Sequence, residues 1–173
     1  MDKLSKGFFK KDALELAPLL LGKKLICVSK NGSISRYKIT EIEVYRGEED
    51  AACHASKGKS KRTEVMYYEG GVLYVYLIYG MYWMLNIVTG EENNPQAILI
   101  RAVEGVEGPG RVGKLLNLDK SFNAEDLSSS ERIWLEDAPI VKSYKTSTRI
   151  GIDYATDKWR LKPWRYMIDK KST

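Results

Sequence analysis

Glu43 and Tyr45 stand two positions apart in an alternating run, Ser33 to Tyr45, so both side chains leave the same face of a strand. A carboxylate beside an aromatic ring suits a cleft in which a flat ligand stacks while a base activates water. Glu41 shares that face, and the spacing alone fits a plain exposed strand equally well. A second concentration of chemistry lies in Leu73-Tyr74-Val75-Tyr76-Leu77-Ile78-Tyr79-Gly80-Met81-Tyr82-Trp83. Alternation puts Tyr74 and Tyr76 on one face, where tyrosines ordinarily serve packing. Tyr79 falls at the tight turn, where an aromatic tip invites a different explanation: a wedge that unstacks base pairs. Arg101 ends the apolar run Ala97 to Ile100, either as a strand-end snorkel or as partner to a carboxylate or phosphate. Asn86 interrupts an apolar strand and is structural or faces a polar pocket. His54, the single histidine, sits in a loop and by itself is an ordinary surface residue.

The formal net charge is +5, which fits a polyanionic partner without proving one. Lys57, Lys59, Lys61 and Arg62 form one basic cluster; Lys158, Arg160, Lys162, Arg165, Lys170 and Lys171 form another. A solvated loop and a solvated tail explain them as well as a phosphate-binding surface does. Two cysteines in no paired spacing point to reduced thiols, and one histidine without Cys-x-x-Cys makes a metal site improbable. No apolar stretch is long enough for a membrane span, and the lysine-rich start is unlike a signal peptide. An intracellular location follows as an expectation: cytoplasm or nucleoid in a prokaryote, nucleus in a eukaryote.

The elements that must position these residues follow from periodicity and punctuation. Lys11 to Leu21 reads as a helix interrupted by Pro18 and stopped by Gly22. Strands are expected at Lys24 to Ser29 and Ser33 to Tyr45, joined at Asn31-Gly32. In the second, Ile39, Glu41, Glu43 and Tyr45 share one face and Ile42 and Val44 the other. Arg46 to Arg62 is a long polar loop, a length usually tied to function or disorder. Thr63 is expected to cap a short helical turn ending at Gly70-Gly71. Val72 to Ile78 and Met81 to Val88 form a hairpin around Tyr79-Gly80. Gln96 to Val103 is a buried strand, and Gly108-Pro109-Gly110 opens a short basic helix through Leu116. Ile133 to Leu135 and Arg149 to Ile152 are further strands. The expectation is α+β: one domain over residues 1–173, core about 11–168, with a largely antiparallel curved sheet, a protruding hairpin and peripheral helices.

Several blocks, in order, resemble the alkyladenine DNA glycosylase family, the methylpurine or 3-methyladenine DNA glycosylases. They are Leu16-Ala17-Pro18, Leu20 to Lys23, Glu41-Ile42-Glu43-Val44-Tyr45, Glu49 to His54, Arg62 to Met66 and Leu73 to Tyr82. Asn86-Ile87, Leu99 to Ala102, Gly108-Pro109-Gly110 and Ile133-Trp134-Leu135 continue the match, which spans most of residues 13–165. Three positions depart from the pattern. Cys53 stands where small residues are common, Lys61 where a proline is frequent, and the chain ends without the family's Ser-Pro-aromatic segment.

The resemblance implies a cofactor-free, metal-free enzyme that flips alkylated or deaminated purines out of duplex DNA and hydrolyses the N-glycosidic bond. The lesions implied are 3-methyladenine, 7-methylguanine, hypoxanthine and ethenoadenine. Glu43 matches the general base, and Arg101 the residue that helps hold the attacking water. Tyr45, His54 and Tyr76 match the groups that sandwich the flipped base, and Tyr79 the residue that fills the vacated stack. Asn86 matches a pocket-floor residue that crowds the amino group of guanine. Arg62, Lys57 and Lys59 are candidates for phosphate contact. No family nucleophilic lysine is found, so a monofunctional enzyme is expected; its partner is double-stranded DNA, and a monomer is the default for a one-domain DNA reader. Two other readings use the same residues: a binder of damaged or distorted DNA without catalysis, and a sugar glycosidase with Glu41 and Glu43 as its paired carboxylates. Same-face neighbours on a strand lie about 7 Å apart, so spacing alone leaves the second open.

Overall fold

A computed structural model describes residues 2–169. A short helix α1 (Lys6–Phe9) and helix α2 (Ala13–Leu20) lead into strands β1 (Lys24–Val28) and β2 (Ile34–Arg46). The hairpin strands β3 (Leu73–Ile78) and β4 (Tyr82–Val88) follow, then β5 (Gln96–Val103), the two-residue β6 (Val106–Glu107) and helix α3 (Pro109–Leu115). The remaining elements are β7 (Ile133–Glu136), β8 (Tyr144–Ser147), α4 (Asp157–Arg160) and β9 (Arg165–Ile168). The strands make one curled antiparallel sheet in the order β3-β4-β5-β2-β1-β7, with β6 on β5, β9 on β2 and β8 on β9. The fold is therefore mixed, with helices at the periphery. Among the described residues, no helix is long and apolar enough to cross a membrane.

One face of the sheet carries the core. Ile42 and Val44 of β2, Leu73 and Val75 of β3, Leu85 and Ile87 of β4, and Ile98 and Ile100 of β5 pack with Leu16 and Leu20 of α2 and Val112 of α3. Asp12 starts α2 by accepting a hydrogen bond from the Leu14 N–H, satisfying one of its unpaired donors. Helix α3 lies close to β4, because a Cβ on Gly113 would stand 2.0 Å from the Trp83 carbonyl oxygen. Only glycine permits that approach, and it braces the β3–β4 hairpin one residue pair from its turn.

Four expectations are corrected. Ile39 belongs to the core face with Ile42 and Val44. The register of β2 against β5 shifts between Ile39 and Glu41 and again between Glu41 and Ile42. The two shifts cancel, so the pairing resumes at Ile42 in the register it had at Ile39, but the irregularity between them breaks the simple alternation of faces. Met81 lies in the hairpin tip and not in the strand, since Ile78 pairs with Tyr82 and the Met81 N–H returns to the Ile78 carbonyl. Thr63 makes no side-chain cap. Its hydroxyl instead donates to the Gly58 carbonyl and accepts from the Ser60 N–H, closing the turn before Arg62. Arg149 to Ile152 is irregular chain; the strands of this region are β8 and β9, which periodicity did not reveal.

Candidate active site

The second face of the sheet holds the polar residues in one row. Tyr74 pairs with Asn86, Asn86 with Leu99, Leu99 with Glu43, and Glu43 with Arg165, so five strands place five residues side by side. Tyr45 lies one alternation further along, opposite Ala97. Beyond the bulge β9 replaces β1 as the neighbour of β2. A cleft of about 480 Å³ opens over this row, and Tyr45, His54, Tyr76, Asn86 and Arg101 all line it. The size suits a small flat ligand.

Glu43 has no solvent exposure. Its Oε1 accepts from the Ile150 N–H at 2.7 Å and lies 3.5 Å from Arg101 Nη1, and its Oε2 accepts from the Tyr45 hydroxyl at 2.9 Å. Burial pushes the carboxyl above the ordinary carboxylate range, against the pull of Arg101, the Ile150 N–H and the Tyr45 hydroxyl. Arg101 is in turn held by Glu41, whose Oε1 accepts from Arg101 Nε at 3.1 Å and Arg165 Nη1 at 3.0 Å. Glu41, tied to two guanidiniums, serves Arg101.

The aromatic wall is built by β3 and the loop before it. His54 Nδ1 lies 2.9 Å from the Tyr74 hydroxyl, and its ring centre is 4.6 Å from that of Tyr76. Burial, helped by Arg62, pushes the His54 pKa down to about 4, so the imidazole is neutral at physiological pH. Burial likewise pushes the Tyr74 hydroxyl up to about 12. Asn86 is buried and donates to the Tyr74 carbonyl at 3.0 Å, which fixes its amide at the cleft floor.

Tyr79 is 83 % exposed at the hairpin tip and has φ +52°, in the left-handed region that tyrosine rarely adopts. Lys57, Lys59 and Arg62 are exposed, and Arg62 stands 5.6 Å over the Tyr76 ring. Lys170 and Lys171 lie outside the described residues.

Sequence reasoning missed four contributors. Tyr74, read as packing, touches His54 and lines the cleft. Tyr154 lines it too and donates to the Ala52 carbonyl at 3.0 Å. Asp50 and Arg149 form an ion pair with both side chains wholly buried. Asp50 was visible only as part of the Glu49 to His54 block; nothing around Arg149 sets it apart from a surface arginine.

One face of a curled antiparallel sheet thus brings together the buried Glu43 carboxylate, the adjacent Arg101 guanidinium and a tyrosine-walled cleft sized for a flat ring. Sequence comparisons place the chain among known proteins. The family model for methylpurine-DNA glycosylase (MPG) matches residues 7–108 and 104–172. The chain is 39% identical to a "Putative 3-methyladenine DNA glycosylase" of Methanocella arvoryzae, over 99% of this chain and 94% of that one. It is 41% identical to a protein of the same name from Borrelia garinii subsp. bavariensis, over 95% of each chain. A third of that name, from Rickettsia felis, is 40% identical over 95% of this chain and 92% of its own. The chain belongs to the methylpurine-DNA glycosylase family, DNA repair hydrolases that act on N-glycosyl bonds.

Proposed function

We propose that this protein is a monofunctional glycosylase, acting as a monomer inside the cell, that flips alkylated or deaminated purines out of duplex DNA and hydrolyses their bond to the sugar. The observation that carries the reading is the Glu43 carboxylate, wholly buried directly behind the cleft and held by three groups that line it, Arg101, Tyr45 and the Ile150 backbone. The substrates proposed are 3-methyladenine, 7-methylguanine, hypoxanthine and ethenoadenine.

A base inside a duplex is out of reach, so it leaves the stack at a cost of about a few kcal/mol. Tyr79, exposed at the hairpin tip, offsets part of that cost by filling the hole. Lys57, Lys59 and Arg62 hold the backbone without reading sequence. The extruded purine enters between Tyr45 and the His54–Tyr76 pair, with Asn86 at the floor. A ring alkylated on nitrogen is cationic and gains from the tyrosine faces. The neutral His54 adds no opposing charge.

The chemistry is one displacement. The glycosidic C–N bond breaks and its electron pair leaves with the base. Water forms the new C–O bond at the anomeric carbon and passes its proton to Glu43. The negative carboxylate also stabilises the oxocarbenium-like sugar on the way. Arg101 holds the water beside Glu43. A cationic base leaves as a neutral molecule without an acid; hypoxanthine and ethenoadenine must take up a proton as the bond breaks, and solvent water supplies it.

Base release from an end-labelled duplex with one hypoxanthine or ethenoadenine, read after alkaline cleavage, tests this reading. The wild type is expected to release the base, and Glu43→Gln to bind the duplex without releasing it. Binding without release by both proteins, on these substrates and on methylated DNA, would leave a non-catalytic binder of damaged DNA.

A further inference from the structure

The irregular segment that follows β8 contains an arrangement the reaction outlined above does not use. Arg149 is forked on Asp50, Nη1 to Oδ2 at 2.6 Å and Nη2 to Oδ1 at 2.9 Å. The same guanidinium donates to the Val44 carbonyl at 2.9 Å and the Trp159 carbonyl at 3.2 Å. It also lies over the Tyr45 ring, 4.9 Å from its centre. Both charged side chains are completely buried. A buried ion pair commonly costs as much in desolvation as it returns, so stability alone is a weak reason to keep one.

Its connections say what it does. Val44 sits between Glu43 and Tyr45 on β2, and Ile150, the neighbour of Arg149, places its N–H on Glu43 Oε1. Asp50 accepts from the Ala52 N–H at 3.1 Å and the Arg46 N–H at 3.1 Å, which shapes the turn delivering His54 to the cleft wall. One guanidinium therefore touches the strand of the base, the chain that caps it and the turn of the aromatic wall.

We propose that Arg149 is a positioning residue. Forked on Asp50, it seats the Ile150 N–H on Glu43 and the Tyr45 ring against the cleft, locking base and aromatic wall into one unit. The inference rests on the reading of Glu43 as the base. Arg149 is also among the groups that hold the Glu43 pKa down against burial. The other charged or titratable groups around Glu43 are Arg101 of β5, Arg165 of β9, Tyr76 of β3, Tyr154 of the segment between β8 and α4, and Tyr45 and Glu41 on its own strand.

The test uses the full chain carrying Arg149→Met/Asp50→Asn, which removes both charges together and leaves neither buried alone. Arg149→Lys is the conservative partner; it keeps the charge but not the planar fork. Three quantities are read: the melting temperature, the Glu43 carboxyl titration by carbon-13 NMR in DNA-free protein, and the pH profile of single-turnover base release. The double variant is expected to fold and bind the duplex, with the Glu43 titration and the acid limb of the profile both moved to higher pH. Its release rate near pH 6 falls by about tenfold. Arg149→Lys recovers part of that rate. A folded double variant whose titration and acid limb coincide with those of the wild type overturns the proposal. Failure of both variants to fold also overturns it, because the pair is then scaffold alone. The NMR titration needs no substrate, so it decides the role of Arg149 even if the wild type releases no base and the glycosylase reading falls.

Discussion

The Tyr45 hydroxyl donates to Glu43 Oε2 at 2.9 Å across two positions of one strand, so a wall of the cleft and its carboxylate share a hydrogen bond. The bond stabilises the charged form of Glu43, opposing the burial that favours the neutral form. Tyr45→Phe keeps the ring and removes the bond. The Glu43 pKa then rises, and base release fails at a higher pH than in the wild type. The acid limb therefore moves to higher pH, in the direction that losing a hydrogen bond to the charged form requires. The pH profile of single-turnover release checks this. An acid limb unmoved in Tyr45→Phe would separate the hydroxyl from the titration.

His54 gives a stability prediction with a defined window. Its pKa falls from 6.5 to about 4 on folding, because the neutral ring is buried and Arg62 is near. Between those two values the unfolded chain binds the proton that the folded chain refuses. Stability is therefore full above about pH 6.5, declines as pH falls towards 4, and loses nothing further from this group below that. Denaturant melts at a series of pH values should show that slope, with a total on the order of 1–3 kcal/mol. His54→Gln should flatten it. An equal slope in both proteins would assign the acid sensitivity to other groups.

Tyr79 combines 83 % exposure with a left-handed backbone, a conformation that asparagine adopts more readily. Tyr79→Asn should therefore leave the protein as stable as before or more stable, by up to about 1 kcal/mol. The same change should cost base flipping, read as a smaller fluorescence rise from 2-aminopurine beside the lesion. Release from single-stranded substrate, where no stack has to be broken, should change least. A loss as large on single strands as on duplex would remove the wedge role from Tyr79.

Much of this site was legible because strand alternation is simple arithmetic. Glu43 and Tyr45, Tyr74 and Tyr76, and the exposed tip at Tyr79 follow from period two and one tight turn. The resemblance supplied the roles of His54, Asn86 and Arg101, none of which is distinctive by itself. Local pattern could not give what depends on distant partners. The bulge at Glu41 moved Ile39 to the core face, and no residue type announces it. Arg149 and Asp50 are 99 positions apart in sequence and meet only when the segment after β8 folds over β2. The sequence of that segment, Arg149 to Ile152, suggests a strand. In the fold the Ile150 N–H goes to a carboxylate instead of to a neighbouring strand.

The bulge also marks a change of partner along β2. Ile34 to Lys38 is registered against β1, while β5 pairs with Ile39 before the irregularity and with Glu41 to Arg46 after it, and β9 pairs from Glu41 to Glu43. Residues gained or lost in the β1–β2 connection are met first by the ladder with β1. The ladder that holds Glu43 opposite Leu99 and Arg165 takes its register from the other side of the sheet. Length variation at that hairpin and the geometry of the carboxylate are thus free to evolve separately.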